Sequence, residues 1–165
     1  MASSAAKPAW NAATAAEFPG QELGPFIAAL EVAGIAGALK FLNARTPYRY
    51  TAIYRFEGAM MRNIYLYDRL GEDVSDFGKV PLGDSFCQFV MAQGGFSTSD
   101  SAHDERLLGH AYRGVLNAYF GLPLSRKPGT IYGTFCHFDF KPQVIADGEI
   151  KFLESVTPWL LDYLE

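Results

Sequence analysis

Residues 83–90 read GDSFCQFV, residues 95–106 GFSTSDSAHDER, residues 118–124 AYFGLPL and residues 133–142 GTFCHFDFKP. These four stretches decide the fold. In the first, Ser85 and Gln88 have the spacing of a capping box, in which each side chain satisfies a free backbone N–H of the other residue. A short helix is therefore expected over residues 84–92, closed by Gly94-Gly95. Residues 96–99 read as a short strand. Asp100 or Ser101 is placed to cap a following helix, whose first turn carries Asp104 and Glu105 at the positive end of its dipole. Residues 118–124 and 130–140 (TIYGTFCHFDF) read as strands, with Lys127-Pro128-Gly129 as the turn between them.

Working outward, residues 48–56 (YRYTAIYRF) and 60–69 (MMRNIYLYDR) are rich in aromatic and β-branched residues around Glu57-Gly58, the pattern of a hairpin. Residues 71–83 read as a polar loop. Upstream, Gly24-Pro25 opens an Ala/Leu/Ile-rich helix that extends to about Ala44, before Thr46-Pro47 stops it. Ala29, Ala33 and Gly37 form a ridge of small residues along it, suited to close packing within the chain or to a dimer seam. Residues 1–22, rich in Ala, Pro and Ser, read as a mobile tail, leaving 23–165 as one domain. Near the C-terminus, Ile150, Leu153, Val156, Leu160 and Leu164 keep a three/four spacing on a final helix that starts near Ala146-Asp147. Pro158 is expected to kink or break that helix. The order of elements gives an α+β domain with an antiparallel sheet.

In order and spacing, the four stretches resemble the bacterial GAF family. The matching elements are a helix start at Ser85, Phe86 and Cys87, Asp100 with Asp104 and Arg106, a strand from Tyr119 to Pro123, and a strand carrying Gly133, Asp139 and Pro142. The resemblance covers roughly residues 26–164. It implies a central antiparallel sheet of five or six strands, terminal helices on one face, and short helices and loops enclosing a pocket on the other. It also implies a small-molecule ligand and dimerisation through the terminal helices. Fold does not fix ligand, so the site is read from residues.

The chain has 165 residues with 49% hydrophobic and 19% charged residues, a composition of globular rather than disordered proteins. Its formal net charge of −4 and lack of a Lys/Arg cluster beyond Ser125-Arg126-Lys127 set nucleic acid aside. The longest apolar stretch, residues 26–42, is interrupted by Glu31 and Lys40, so no membrane span is expected. No secretory signal is evident. Two cysteines build no disulfide framework, and a cytoplasmic setting with reduced thiols is expected.

The expected ligand-binding residues are Ser85, Phe86, Cys87, Phe96, Asp100, His110, Tyr119, Thr134 and Cys136. The helix start at Ser85 offers free N–H groups to an anionic group, and the aromatic residues suit a planar ring. Cys87 lies in a first helical turn, where the dipole favours thiolate. That makes it the catalytic residue of an alternative reading, a thiol enzyme resembling the free methionine-(R)-sulfoxide reductases of the same family. The spaced pocket cysteines of that group are not evident, and two buried, inert thiols are the plainer expectation. Cys136-His137 superficially resembles the pair that anchors a bilin in photoreceptor GAF domains, but the anchoring cysteine there lies outside this strand. His103 and His110, seven residues apart, would share a helix face without a third ligand, so no metal is expected.

No nucleophile elbow, phosphate loop or paired-carboxylate helix is present. The expected function is a small-ligand-binding sensory module with an unidentified ligand and no cofactor. Without an output domain in the sequence, its signal is expected to pass to a partner protein or a second copy. A ligand-free interaction module is a further alternative.

Overall fold

A computed structural model describes residues 22–72 and 78–164. The tail expected over residues 1–22 lies outside the described residues, Glu22 excepted. Helix α1 (Leu23–Asn43) leads into the hairpin β1 (Tyr50–Glu57) and β2 (Met60–Asp68). Strand β3 (Lys79–Pro81), a 3-10 turn (Leu82–Asp84), helix α2 (Cys87–Gln93) and strand β4 (Phe96–Thr98) follow. Two 3-10 turns (Ser101–His103 and Glu105–Leu107) precede the hairpin β5 (Ala118–Lys127) and β6 (Thr130–Asp139). Helix α3 (Asp147–Leu160) and a 3-10 turn (Leu161–Tyr163) end the described chain.

The strands form one six-stranded sheet in the order β3-β2-β1-β6-β5-β4. Every neighbouring pair is antiparallel. The two hairpins meet where β1 pairs with β6, from Tyr50 opposite Phe138 to Arg55 opposite Gly133. Period-two alternation then sorts the side chains onto two faces. Ile53, Phe120, Leu122 and Phe135 point to one face, where they pack with Phe26, Leu39 and Leu42 of α1 and Phe152, Leu153 and Val156 of α3. Tyr50, Ala52, Tyr54, Tyr119, Cys136 and Phe138 point to the other, against Phe86, Cys87 and Val90 at α2. Fully buried side chains such as Phe135 and Leu153 each contribute about 1.5–3 kcal/mol.

Several expectations are corrected. The polar loop contains β3, which pairs with β2 and closes that edge of the sheet. The helix expected after Asp100 is instead two 3-10 turns separated by an extended Asp104 (φ −101°, ψ 107°), so His103 and His110 share no helix face. Asp104 accepts a hydrogen bond from the Arg106 N–H and forms a close ion pair with its guanidinium.

Helix α1 is broken at Gly34, whose φ of 67° and ψ of −157° lie outside helical space and suit glycine. The break kinks the helix at that residue. A Cβ added to Gly37 would lie 2.5 Å from the Ala33 Cβ and 2.9 Å from the Ala29 carbonyl oxygen. The Ala29-Ala33-Gly37 ridge is therefore used inside the chain. Helix α3 runs through Pro158 to Leu160 without leaving helical geometry, then tightens into the 3-10 turn. By length and composition α1 is apolar enough to cross a membrane, contrary to the reading of residues 26–42. Its buried residues Phe26, Leu30, Ile35, Ala38, Leu39 and Leu42 belong to the core against the sheet.

Polar groups tie the helix face together. The Asn43 amide donates to the Tyr48 carbonyl (3.0 Å) and to the Thr51 hydroxyl (2.9 Å), and Thr51 Oγ1 lies 2.7 Å from His137 Nδ1. Arg69 donates to the Asn43 side chain and to the Asn43 and Thr46 carbonyls. Arg45, stacked 3.8 Å over the Phe152 ring, pairs with Glu149 of α3 at 2.9 Å.

Candidate functional site

On the face opposite α1 and α3, the sheet and the segments crossing it enclose a cavity of about 270 Å³. Strand alternation builds its floor. Cys136 and Phe138 on β6, Tyr119 on β5 and Tyr54 on β1 all point into it. Ser85, Phe86 and Cys87 at the start of α2 form one wall. Lys79 and Val80 of β3, the segment carrying Tyr112, Val115 and Leu116, and Phe140 form the rest. Val115 and Phe140 are lining residues that remain 56% and 42% exposed, which puts the opening beside them.

The floor carries a cluster of neutral polar groups. Cys87 Sγ lies 3.4 Å from Tyr119 Oη and 3.3 Å from Thr134 Oγ1. Burial pushes the Cys136 thiol well above its ordinary pKa, and the neighbouring Cys87 adds to the shift. Burial likewise raises the Tyr119 hydroxyl, with the two cysteines contributing, and raises Tyr54. Removing a charged group from water is costly unless it is paired, so these groups stay protonated at neutral pH.

The start of α2 differs from its sequence reading. The helix begins at Cys87, and the Ser85 hydroxyl accepts the Cys87 N–H at 3.0 Å. The Gln88 amide donates to the Gly83 and Ser85 carbonyls, and the Ser85 N–H goes to the Leu82 carbonyl, so the reciprocal capping box does not form. With the Ser85 and Cys87 N–H groups already taken, this seven-residue helix is a poor anion cradle.

Of the nine expected ligand-binding residues, Ser85, Phe86, Cys87, Tyr119 and Cys136 line the cavity. Thr134 is buried beside the Cys87 sulfur. Phe96 packs behind the wall, its ring centroid 6.2 Å from Phe86 and 6.3 Å from Tyr119. His110 lies on the outer side of Phe86, 4.6 Å between centroids, and its Nδ1 accepts the Tyr112 N–H. Asp100 is elsewhere, in a polar depression with Arg106 and Gln143, and its carboxylate holds His103 Nδ1 at 2.9 Å. Strand β4 ends at Thr98, so alternation no longer governs where Asp100 points.

Tyr54, Lys79, Val80, Tyr112, Val115, Leu116, Phe138 and Phe140 were missing from the sequence reading of the site. Phe138 is two residues from Cys136 and was legible from alternation. Tyr54 is legible only once the β1–β6 register sets it opposite Thr134. Phe140 continues the same alternation just past the end of β6, while the others sit on turns or a three-residue strand and have no periodic signal. The same alternation separates Cys136, in the cavity, from His137, on the helix face. Among the described residues, no group of three His, Cys, Asp or Glu side chains is placed to hold a metal ion.

No protein-family model matches the sequence, and no curated protein sequence matches it either. Solved structures do match the fold. The GAF domain of Acinetobacter phosphoenolpyruvate-protein phosphotransferase aligns with a TM-score of 0.70 at 12% identity, covering 87% of this chain and 90% of that one. A putative GAF sensor protein from Burkholderia vietnamiensis aligns at 0.67 and 12% identity, covering 90% and 94%. The type II free methionine-R-sulfoxide reductase of Thermoplasma acidophilum aligns at 0.64 and 16% identity, covering 84% and 94%. Identities this low establish shared architecture, while the named functions of these three proteins diverge.

Proposed function

Taking the GAF-like fold as premise, we propose that the domain is a small-molecule-binding sensory module. The observation that supports it is the cavity of about 270 Å³ under α2, lined mainly by aromatic and aliphatic side chains around a few neutral polar groups. Such a composition is typical of small-ligand sites. An open cavity of this size also weighs against a pocket filled by its own side chains and used only as an interaction surface. Ligand occupancy changes how α2 and the segment from Tyr112 to Leu116 pack on the sheet. It acts on an output only if the ligand binds two packings with different affinity. The terminal helices α1 and α3, on the far side of the sheet, then present the change to a second copy or a partner protein. Native mass spectrometry of the purified protein tests this, together with a thermal-shift screen across nucleotides, amino acids and small aromatics. Failure of every class to raise the Tm removes the reading.

A second reading is favoured by one specific feature: Cys87 and Cys136 line the same cavity and share the Tyr119 hydroxyl. Two thiols there would reduce a sulfoxide to a sulfide, releasing its oxygen as water as they close to a disulfide, with thioredoxin restoring them. NADPH consumption coupled through thioredoxin and methionine sulfoxide measures this activity, and Cys87→Ser abolishes it. Absence of turnover in the wild-type protein excludes it.

A further inference from the structure

We infer that the cavity selects a small, uncharged aromatic molecule of indole or alkylphenol size; this rests on the ligand-binding reading above and narrows it. Size gives the first constraint. A dry apolar cavity of about 150 Å³ accepts benzene, so at the same packing about 270 Å³ accepts roughly ten or eleven non-hydrogen atoms. That is a bicyclic ring or a substituted phenol. A cyclic nucleotide has roughly twice that number of atoms, and a haem or bilin more still, so neither is enclosed without opening the site.

Charge gives the second constraint. Among the described residues lining the cavity, Lys79 is the one ionic side chain. It stands at the rim, about half exposed, with its Nζ 3.8 Å from Glu57 Oε1. Among the described residues no acidic side chain lines the space, and Tyr54, Tyr119 and Cys136 are held neutral by burial. A zwitterionic amino acid or a dianionic phosphate would therefore bring charges to the floor with no counter-charge to meet them, which costs far more than the apolar walls return. A neutral ring brings none.

Shape gives the third. Phe86, Tyr119, Tyr54 and Phe138 surround the space with ring faces and edges suited to an aromatic guest. The Tyr119 hydroxyl and Cys87 thiol on the floor can each give or take a hydrogen bond, so they match a single hydroxyl or ring N–H. The apolar side chains of Val115 and Phe140 flank the entrance, consistent with a guest that arrives without an ionic group.

The test is titration of the full chain with indole and with p-cresol, read by calorimetry and by thermal shift. L-methionine sulfoxide, cyclic GMP and haemin serve as comparison probes. The expected result is a concentration-dependent rise in Tm with indole or p-cresol. Cys136→Phe, which fills the floor, should weaken that binding by about tenfold or more. Val115→Trp, at an exposed rim position, narrows the entrance and should slow association, read by stopped-flow fluorescence, in a variant whose fold is undisturbed, which keeps the test decisive if Cys136→Phe fails to fold. Binding of cyclic GMP, haemin or methionine sulfoxide without binding of indole or p-cresol overturns the inference and leaves the ligand-binding reading intact. Binding of indole unaffected by either variant overturns the assignment to this cavity. No binding by any probe overturns the inference, and the ligand-binding reading falls with it only when the wider thermal-shift screen is negative as well.

Discussion

His137 is fully buried between the Tyr48 ring, stacked at 5.5 Å, and the edge-on Phe135 ring at 5.1 Å. Its Nδ1 is matched by Thr51, while its Nε2 has no hydrogen-bond partner among the described residues. Burial, aided by the charge of Arg69, lowers its pKa from 6.5 to about 3. In this window the unfolded chain binds a proton that the folded chain refuses. Stability is therefore complete above about pH 6.5 and falls as pH drops toward 3, at up to about 1.4 kcal/mol per pH unit. The ion-paired carboxylates Asp68 and Asp104 are lowered below 3.8, Asp104 to about 2, so their contribution is lost only at more acid pH. Urea unfolding measured between pH 7 and 4.5 should show the slope in the wild-type protein and its loss in His137→Gln. An unchanged slope would place the titrating group elsewhere.

At the scale of elements, α1 and α3 are positioned by two different devices. The first is the break at Gly34. Its φ/ψ combination is strained for any side chain, although no atom lies within 4 Å of an added Cβ. Gly34→Ala should therefore destabilise by about 1–3 kcal/mol through backbone strain alone, measurable in chemical denaturation. A cost near zero would mean that α1 tolerates a continuous helical path. The second device is the Arg45–Glu149 pair, with side chains 12% and 10% exposed. Glu149 is raised above its ordinary pKa by burial, against the pull of Arg45. Arg45→Met removes the counter-charge and is expected to cost about 3–5 kcal/mol, most of which the added change Glu149→Leu should restore. A double mutant no better than the single one would show that the Arg45 stack on Phe152 matters more than the charge pairing.

For the whole molecule, the sheet works as a partition. Its helix face is packed and cross-linked by the Asn43–Thr51–His137 network, whereas its other face retains space. Under the proposed signalling scheme, the outer surface of α1 meets a second copy. Gly37 packs closely against Ala29 and Ala33, and the side of α1 available for contact carries Val32, which is 87% exposed. Val32→Glu should shift sedimentation equilibrium toward monomer while changing monomer stability by no more than about 0.5 kcal/mol. A wild-type protein that sediments as a monomer at all concentrations would eliminate the seam.

What the sequence determined by itself was the two terminal helices, the two hairpins and the two faces of the sheet. Hairpin turn chemistry and period-two alternation are local, so Cys136 and His137 were bound to part company whatever else the chain did. That a short helix follows Ser85 was legible as well, but its first residue, Cys87, and the hydrogen bonding of its first turn were not. The break at Gly34 was not, because a lone glycine within an Ala- and Leu-rich run is tolerated by a helix, and the backbone's path there is set by what it packs against. Nor were β3, the turn-rich segment from Tyr112 to Leu116 or the placement of Asp100, which carry no repeat for a sequence to display. The cavity depends on those pieces. Its floor was written in strand alternation, but its walls, its volume and its lack of charge arose only when distant, aperiodic segments were brought across the sheet, since enclosure is a property of contacts and not of spacing along the chain.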